Sequence, residues 1–272
     1  MNNVLCIFHA NCADGFTSAW VLYRALGKDV EFFPGVYMTP PPDVTGRDVV
    51  LVDFSYKRPI MEQLIKQAKS VLVLDHHKTA ADDLKDLPGA SVVFDMNRSG
   101  AKITWDYYFP NETPPPLLLV IEDRDLWRFK IPKSREIQAT VFSYPYTFEM
   151  WDKLMTSDLS VLANEGEVIE RKHFKDIDEL LGVVTRRMII GGYNVPVANL
   201  PYTMVSDAAH KMAIGEYFSG CYWDTPNGRV FGLRSNENGV DVSEIAKRYG
   251  GGGHKHAAGF TAPYDLAFTF EV

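Results

Sequence analysis

The clearest indication of the architecture is the segment Val71-Leu72-Val73-Leu74-Asp75-His76-His77. A short run of Val and Leu is typical of a strand that is buried on both faces of a parallel sheet. The Asp and two His at its end are adjacent side chains that can bind a metal ion, and packing alone does not readily explain them. The stretch predicts a buried strand that ends at a functional site. Two exposed loop histidines beside a capping aspartate are the alternative interpretation.

Four further apolar runs of this kind lie within roughly the first 125 residues, and helix-like stretches separate them. Strands that alternate with helices predict an α/β domain whose parallel sheet is covered by helices on both faces. In such sheets, ligands bind beyond the carboxyl ends of the strands. The predicted strands are Val4–Phe8, Val30–Phe33, Val49–Val52, Val71–Leu74 and Val92–Phe94, and the predicted helices are Phe16–Leu26, Pro59–Lys69 and Ala101–Phe109.

The rest of the chain predicts a helical connector and a second, smaller α/β domain. Apolar residues from Leu159 to Ile189 recur at spacings near three and four, or multiples of them, as on a helix. Further on, two strand-like runs flank Thr225-Pro226-Asn227-Gly228, which is typical of a β-hairpin. We therefore expect an N-terminal domain over residues 1–155, a helical connector over residues 156–190 and a C-terminal α/β domain over residues 191–272.

The composition is that of a globular protein with a surplus of acidic residues. Hydrophobic residues make up 46% and charged residues 23%, and the formal net charge is -7. Proteins that hold long nucleic acid usually have a basic face, so this charge favours small or short substrates.

Three cysteines cannot all pair, which favours a reducing compartment. The first apolar run is too short for a signal peptide or a membrane span, so we expect a cytoplasmic protein with no membrane partner.

Two other predicted strand ends carry candidate metal ligands. Asp53 directly follows Val49–Val52, and the first strand leads into His9-Ala10-Asn11-Cys12-Ala13-Asp14-Gly15. Gly15 would allow a close approach of the backbone. Carboxylates and imidazoles together suit Mn, Fe, Co or Zn, so convergence of these strand ends would create a divalent metal site. Each segment by itself is also compatible with an ordinary turn or a helix cap.

Another group of residues could contact a phosphate. The segment Gly250-Gly251-Gly252-Gly253-His254 exposes successive backbone N–H groups, which can hold an anion. Four glycines in a row are costly in chain entropy, although a flexible loop is the alternative. Arg234 and His254 could add charge and hydrogen bonds. Arg98 follows the strand Val92–Phe94, and Asp123 lies in an acidic cluster; a solvated arginine and a solvated helix end are their alternative interpretations.

In this order, the motifs resemble the DHH phosphoesterase superfamily with its DHH-associated C-terminal domain, over nearly the whole chain. Relatives include oligoribonucleases, cyclic-dinucleotide phosphodiesterases, RecJ-like exonucleases and family II pyrophosphatases. The resemblance implies a metal-dependent phosphodiesterase that converts short oligonucleotides, or linear or cyclic dinucleotides, to mononucleotides. It rests on Asp75-His76-His77, on Asp53 and Asp123, on the segment from Arg234-Ser235 to Asp241-Val242-Ser243, and on Gly251-Gly252-Gly253-His254-Lys255-His256-Ala257-Ala258-Gly259.

The resemblance also implies a role for each motif residue. The N-terminal domain would be catalytic and hold two divalent cations, commonly Mn²⁺, while the C-terminal domain would bind substrate. Two such cations ~3.5–4 Å apart can activate a hydroxide and neutralise the phosphate. His77, with Asp75, would be catalytic and face the scissile phosphate, and Asp53 would bridge both cations. The implied metal ligands are His9, Asp14, Asp53, His76 and Asp123, and the implied substrate-binding residues are Arg98, Arg234, Gly251, Gly252, Gly253 and His254.

Cys12 departs from the pattern of the family, which usually has Asp-x-Asp in its first motif. The order Cys12-Ala13-Asp14-Gly15 is similar to that in a subgroup of bacterial members. As a softer ligand, Cys12 would favour Fe, Co or Zn over Mn. As a small packed residue, it would leave one metal loosely held. Both interpretations remain open on the sequence alone.

Three other functions compete with the leading one. A RecJ-like single-strand exonuclease is disfavoured by the acidic charge and by the lack of an extra nucleic-acid-binding domain. An inorganic pyrophosphatase is disfavoured by the glycine motif and by Cys12. A catalytically silent nucleotide-binding module requires that Cys12 abolish the metal site. We expect a short oligonucleotide or dinucleotide as partner and no long nucleic acid. RNA, DNA and cyclic substrates all stay open, and a homodimer is compatible with the sequence.

Overall fold

The computed structural model describes residues 3–264. It divides the chain into two compact units, Met1–Glu170 and Arg171–Val272. The division falls inside one long helix, α8 (Leu159–Val184), whereas the sequence predicts a separate connector over residues 156–190. The second half of α8 belongs to the second unit because Ile177 is buried there in an apolar cluster with residues of that unit such as Ala208 and Cys221. No helix among residues 3–264 is long and apolar enough to cross a bilayer.

The first unit contains the predicted parallel sheet. Its strands lie in the order β2-β1-β3-β4-β5, and each neighbouring pair runs parallel. Every strand predicted for this domain is confirmed within a few residues. The strands are β1 (Val4–His9), β2 (Val30–Gly35), β3 (Asp48–Val52), β4 (Ser70–Asp75) and β5 (Ser91–Phe94).

Both faces of this sheet are buried, which explains why its strands are continuously apolar. In β1, Leu5 and Ile7 belong to one core cluster, whereas Cys6 and Phe8 belong to the cluster on the opposite face. The predicted cover of helices on both faces is therefore confirmed. The helices of this unit are α1 (Ala13–Leu26), α2 (Arg58–Gln67), α3 (Lys78–Asp83), α4 (Gly100–Tyr108), α5 (Pro116–Asp125), α6 (Ser134–Ser143) and α7 (Phe148–Met155), followed by the first part of α8.

The second unit is built on a mixed sheet with the strand order β10-β11-β9-β8-β7-β6. The predicted hairpin at residues 225–228 joins β8 to β9. Asp241 caps α10, since its side chain accepts a hydrogen bond from Ser243 N. The elements are β6 (Arg186–Ile190), β7 (Tyr193–Asn199), α9 (Val205–Met212), β8 (Ser219–Thr225), β9 (Gly228–Arg234), α10 (Val242–Arg248), β10 (Gly252–His254) and β11 (Ala257–Ala262).

The prediction of a helix up to Ile189 was wrong at its end. Arg186–Ile190 forms β6, which pairs antiparallel with β7. Gly191 and Gly192 both have positive φ, at 59° and 91°, as the two central residues of a tight hairpin turn require. The glycine pair therefore marks a strand-to-strand turn instead of the end of a helix.

Candidate metal centre

The register of the parallel sheet brings three strand ends to the same edge. Phe8 pairs with Val52 and Val52 pairs with Leu74, so the residues that follow are neighbours across β1, β3 and β4. Those residues are His9, Asp53 and Asp75. The expectation that polar strand ends converge in the first unit is met by this pairing.

A buried cluster of carboxylates and imidazoles results. Ligand atoms of Asp14, Asp53 and His76 lie within 4.8 Å of one another, and so do those of His9, Asp53 and His77. His76 Nε2 is 3.2 Å from Asp53 Oδ1 and 3.8 Å from Asp14 Oδ2, and His9 Nδ1 is 3.4 Å from Asp53 Oδ2. Asp53 therefore belongs to both groups of candidate ligands.

Asp53 is the strained centre of the cluster. Its φ is 53°, in the left-handed region that costs a non-glycine residue about 1–2 kcal/mol. Its side chain is 1% exposed, and no described residue forms a geometrically sound hydrogen bond with either carboxylate oxygen. A buried carboxylate without hydrogen bonds is unfavourable unless a cation compensates it. The donor set of carboxylates and imidazoles therefore fits a divalent metal ion.

The N-terminus of α4 orients Asp14. Gly100 N donates to Asp14 Oδ2 at 2.6 Å, and Ala101 N donates to Asp14 Oδ1 at 3.1 Å. A Cβ on Gly100 would lie 2.5 Å from Asp53 Cβ and 3.0 Å from Asp14 Oδ2, so glycine is required there. A Cβ on Gly15 would lie 2.3 Å from the carbonyl oxygen of His9, which confirms the predicted close approach of the backbone at Gly15.

Asp75 orients His77. Asp75 is fully buried, and its Oδ1 atom accepts hydrogen bonds from the backbone N–H groups of His76 and His77. The same oxygen lies 2.7 Å from Nδ1 of the His77 ring. Burial lowers the pKa of His77, but the charge of Asp75 and its hydrogen bond outweigh this effect and raise the pKa above its usual value. His77 is thereby held with Nδ1 against Asp75.

The electrostatics of the cluster reflect three carboxylates in a small buried volume. Burial and the charges of Asp53 and Asp125 raise the pKa of Asp14 well above its usual range. Burial opposes the charged form of Asp53, but the imidazoles of His76 and His9, at 3.2 Å and 3.4 Å from its oxygens, hold its pKa well below the usual range. Burial likewise lowers the pKa of His76, yet Asp53, Asp125 and Asp14 together raise it to about 10. A bound cation would replace the proton that His76 holds at neutral pH.

Asp125 takes the place in the cluster that the resemblance implied for Asp123. Asp125 Oδ2 lies 3.4 Å from His76 Nε2. The carboxylate of Asp123 instead accepts hydrogen bonds from Lys130 N at 2.9 Å and Ile131 N at 3.1 Å. Its two oxygens organise the loop after α5, so the geometry replaces Asp123 by Asp125 as the candidate ligand. Both residues belong to the acidic run that the sequence showed, but spacing did not distinguish them.

Two other residues lie at the edge of the cluster. Cys12 precedes α1, and burial and the charges of Asp53 and Asp125 raise the pKa of its thiol well above the usual value. A protonated thiol is a poor ligand, so this environment favours Cys12 as a packed residue unless a cation displaces the proton.

Tyr37, which the sequence analysis did not identify, places its half-exposed ring 5.4 Å from the His9 ring and 6.4 Å from the His77 ring. The only sequence feature that could have identified Tyr37 as a site residue is its position shortly after the end of a predicted strand.

Arg98 does not point to a phosphate site in this structure. Its guanidinium forms ion pairs with Asp95 at 2.8 Å and Asp106 at 2.7 Å. Two carboxylates neutralise the cation. Its predicted role in substrate binding therefore lacks geometric support, and a local structural role accounts for its contacts.

The candidate substrate-binding residues of the second unit have structural roles of their own. Arg234 donates to Leu233 O and to Ser206 Oγ, both at 2.9 Å. Gly252–His254 forms β10 and pairs with β11. A Cβ on Gly251 would lie 2.0 Å from Gly259 O, and Gly253 has a φ of 139°. Close strand packing therefore requires these two glycines, an explanation that differs from both the anion-binding loop and the flexible loop expected from the sequence.

Comparisons with known proteins agree with the fold. Residues 219–269 match the model of the DHHA1 domain. An uncharacterized protein of Acanthamoeba polyphaga mimivirus is 27% identical over 285 residues, which cover 93% of this chain. The chain spans 66% of the length of that relative.

Two solved structures have a similar fold. The DHH domain of a member of the s1p family of ribosomal proteins matches with a TM-score of 0.60 and 13% identity, over 97% of this chain and 83% of that one. RecJ in complex with Mn²⁺ from Thermus thermophilus matches with a TM-score of 0.54 and 18% identity, over 97% of this chain and 50% of RecJ. The fold is therefore similar to that of the DHH-domain protein and of RecJ, and residues 219–269 of the second unit are similar to the DHHA1 domain.

Proposed function

We propose that this protein is a divalent-metal-dependent phosphodiesterase that cleaves short oligonucleotides or dinucleotides to mononucleotides. The observation that carries the proposal is the buried cluster around Asp53, whose two carboxylate oxygens belong to two overlapping groups of metal ligands. The match of residues 219–269 to the DHHA1 domain and the fold shared with Mn²⁺-bound RecJ support the same chemistry.

The chain offers ligands for two cations. One would be held by Asp14, Asp53, His76 and Asp125, and the other by His9 and Asp53 beside His77. When bound, divalent cations supply a positive charge to the phosphate oxygens and lower the pKa of water. The proposal favours Mn²⁺, because carboxylates outnumber soft ligands in the two groups.

Within this proposal, His77 is the general acid. The Asp75 carboxylate raises the pKa of the imidazole and so favours its protonated form, and it fixes the ring through Nδ1. Nε2, on the opposite side of the ring, would donate its proton to the oxygen that leaves phosphorus when the P–O bond breaks. The oxygen of the attacking water forms the new P–O bond, the proton that this water loses is released to solvent, and His77 regains a proton from solvent, so protons and charges balance.

Short substrates are favoured by the charge of the chain. The net charge of -7 provides no general attraction for a long polyanion, whose binding would need many Lys and Arg contacts. Binding energy would come from the few nucleotides closest to the cluster. Arg234, His254 and the glycine segment of the second unit remain candidates for contacts with the substrate. A cytoplasmic location also belongs to this proposal.

The test is a product time course on dinucleotides, cyclic dinucleotides and oligomers up to a 24-mer, with Mn²⁺, Co²⁺ and Mg²⁺ compared at fixed salt. We expect kcat/KM for dinucleotides to tetranucleotides to exceed that for the 24-mer by at least ~10-fold, about 1.4 kcal/mol of transition-state stabilisation. Asp53→Asn is the control that should abolish metal-dependent turnover.

A RecJ-like single-strand exonuclease is the second candidate, because the fold of RecJ matches over 97% of this chain. The length series separates the two functions. Equal or rising efficiency from the tetranucleotide to the 24-mer would favour the exonuclease, and absence of hydrolysis with every metal and substrate would refute both.

A further inference from the structure

A basic and aromatic surface of the first unit directly adjoins Asp125. We call residues 124–135 the basic strip. Five of these twelve residues are Arg or Lys, and Asp125 is the single acidic residue among them. The strip is therefore locally cationic in a chain whose net charge is -7. Such a local reversal of charge marks a surface that suits an anionic ligand.

Guanidinium groups and aromatic rings alternate along the strip. Arg124 lies 5.3 Å from the ring centroid of Trp127 and 5.0 Å from that of Phe142, which flanks the strip on α6. Arg135 lies 3.6 Å from the ring centroid of Phe129, and the Trp127 and Phe129 rings are 4.8 Å apart. Unstacked nucleobases bind to such surfaces, because they stack on aromatic rings and on guanidinium planes.

The backbone of the strip is held in an unfavourable conformation. The buried carboxylate of Asp123 binds the backbone N–H groups of Lys130 and Ile131 and so determines the path of the loop. Left-handed backbone costs a non-glycine residue about 1–2 kcal/mol, and such strain is concentrated at functional sites. The residues with positive φ are Trp127 at 55°, Phe129 at 47° and Lys133 at 63°.

The strip also borders an open cavity. Residues 129–136 line a volume of about 330 Å³, at the lower end of the range for sites that bind small ligands. Lys130 and Lys133 are exposed at this cavity. Lys133 Nζ is 2.8 Å from Glu136 Oε1, an exposed pair of the kind that contributes little stability. A phosphate could therefore compete for the Lys133 ammonium.

The strip begins beside the metal cluster. Trp127 follows Asp125 by two residues and Phe129 follows it by four. An extended chain spans at most ~3.6 Å per residue, so the Cα atoms of these residues lie within ~7 Å and ~14 Å of that of Asp125. A substrate whose scissile phosphate lies at the cluster would reach the strip with its neighbouring nucleotides.

We propose that the basic strip binds the nucleotides adjacent to the scissile phosphate of a single-stranded oligonucleotide. Bases stack on the layer formed by Trp127, Phe129 and Arg135, and phosphates contact Lys130 and Lys133. This inference rests on the proposed phosphodiesterase function and extends it to substrate length. The strip adds binding energy for substrates of three to five nucleotides and none for a dinucleotide.

The test uses the double variant Lys130→Gln/Lys133→Asn. Asparagine is chosen at residue 133 because it tolerates the left-handed backbone better than other residues. The matched control is Lys66→Gln/Lys153→Gln, which removes the same charge from exposed positions on α2 and α7. Melting temperatures with and without Mn²⁺ verify folding, and Lys130→Gln alone serves if the double variant is unstable.

Two measurements are made on each protein. The first is kcat/KM with Mn²⁺ for a 5′-phosphorylated RNA dinucleotide and pentanucleotide. The second is the affinity for a fluorescent pentanucleotide in EDTA at several salt concentrations. For the double variant, we expect a loss of roughly fivefold or more on the pentanucleotide and less than roughly twofold on the dinucleotide. Each lost phosphate contact should reduce the slope of log K against log salt by ~0.7, so two contacts reduce it by ~1.4.

The inference would be overturned if the double variant kept the wild-type kcat/KM on the pentanucleotide. An equal loss of kcat/KM on both substrates, or the same loss in the control variant, would also overturn it. A wild-type protein that hydrolyses neither the dinucleotide nor the pentanucleotide would refute the proposed function instead. The affinity in EDTA would then still decide whether the strip binds a single strand, since that measurement does not require turnover.

Discussion

Exchange of two neighbouring aspartates for asparagine should separate metal binding from loop stability. Asp123 and Asp125 lie two residues apart on α5 and are chemically identical. Asp125 contacts His76 of the cluster, whereas Asp123 binds two backbone N–H groups of the following loop. The variant Asp123→Asn should therefore lower the free energy of unfolding and leave the affinity for Mn²⁺ unchanged. The variant Asp125→Asn should lower the affinity for Mn²⁺ and leave the free energy of unfolding of the metal-free protein unchanged.

Asp123→Asn should destabilise the protein and leave the metal in place. An amide has one acceptor oxygen, so one of the N–H groups of Lys130 and Ile131 would face the NH₂ group and remain unpaired. Since Asp123 is 4% exposed, that loss costs about 1–3 kcal/mol. For a unit of this size, ~2 kcal/mol corresponds to a fall of ~4–8 °C in Tm. The Kd for Mn²⁺ should stay within roughly twofold of the wild-type value.

Asp125→Asn should weaken metal binding without destabilising the metal-free protein. Burial and the Asp53 carboxylate raise the pKa of Asp125, so the folded state disfavours its negative charge and loses nothing when asparagine removes it. Loss of a direct ligand should cost at least the ~100-fold in affinity that changes in supporting residues can reach. At Mn²⁺ equal to ~1,000 times the wild-type Kd, the wild type gains ~4.1 kcal/mol of stability and the variant ~1.4 kcal/mol.

Calorimetric melting in EDTA and in Mn²⁺, with titration calorimetry for Kd, measures both quantities on the same samples. The reasoning is refuted by the reverse pattern, in which Asp123→Asn loses the metal at unchanged stability and Asp125→Asn keeps it. Equal effects of both variants in both assays would also contradict it, because the two carboxylates would then share one role.

Four further predictions concern the cluster and the second unit. His77→Ala should strongly reduce the single-turnover rate while metal content by elemental analysis stays near normal; loss of the metal would show that His77 is a ligand. Gly100→Ala should reduce both Mn²⁺ affinity and Tm, because the new Cβ would lie 2.5 Å from Asp53 Cβ; wild-type values for both would contradict the crowding. Arg234→Ala should raise KM for short substrates at normal metal occupancy, and an unchanged KM on every substrate would remove Arg234 from substrate binding. Mn²⁺ affinity should rise with pH between 6 and 8, by ~10-fold per pH unit for each proton displaced, because His76 has a pKa of about 10 and must lose its proton to become a ligand. Titration calorimetry in buffers of different ionisation enthalpy would detect the released protons, and a pH-independent Kd would exclude this competition.

Local sequence determined the elements of the first unit and the positions of most of the cluster. Runs of Val and Leu can be buried on both faces of a sheet, so β1, β3 and β4 were recognisable without knowledge of their partners. The residues after these strands converge because carboxyl ends of parallel strands share one edge. His9, Asp53 and the Asp75-His76-His77 motif were therefore predictable as neighbours from the chain alone.

Tertiary structure decided what spacing could not. Arg186–Ile190 carries apolar residues that also continue a helical spacing, and pairing with β7 made it a strand. The glycines at 251 and 253 looked like an anion-binding loop, but close contact with β11 requires them. The choice between Asp123 and Asp125 depends on which side of α5 faces the sheet edge. Since each helical residue turns by ~100°, two positions differ by ~200°, and the packing of α5 in the core turns Asp125 to the cluster and Asp123 to the loop.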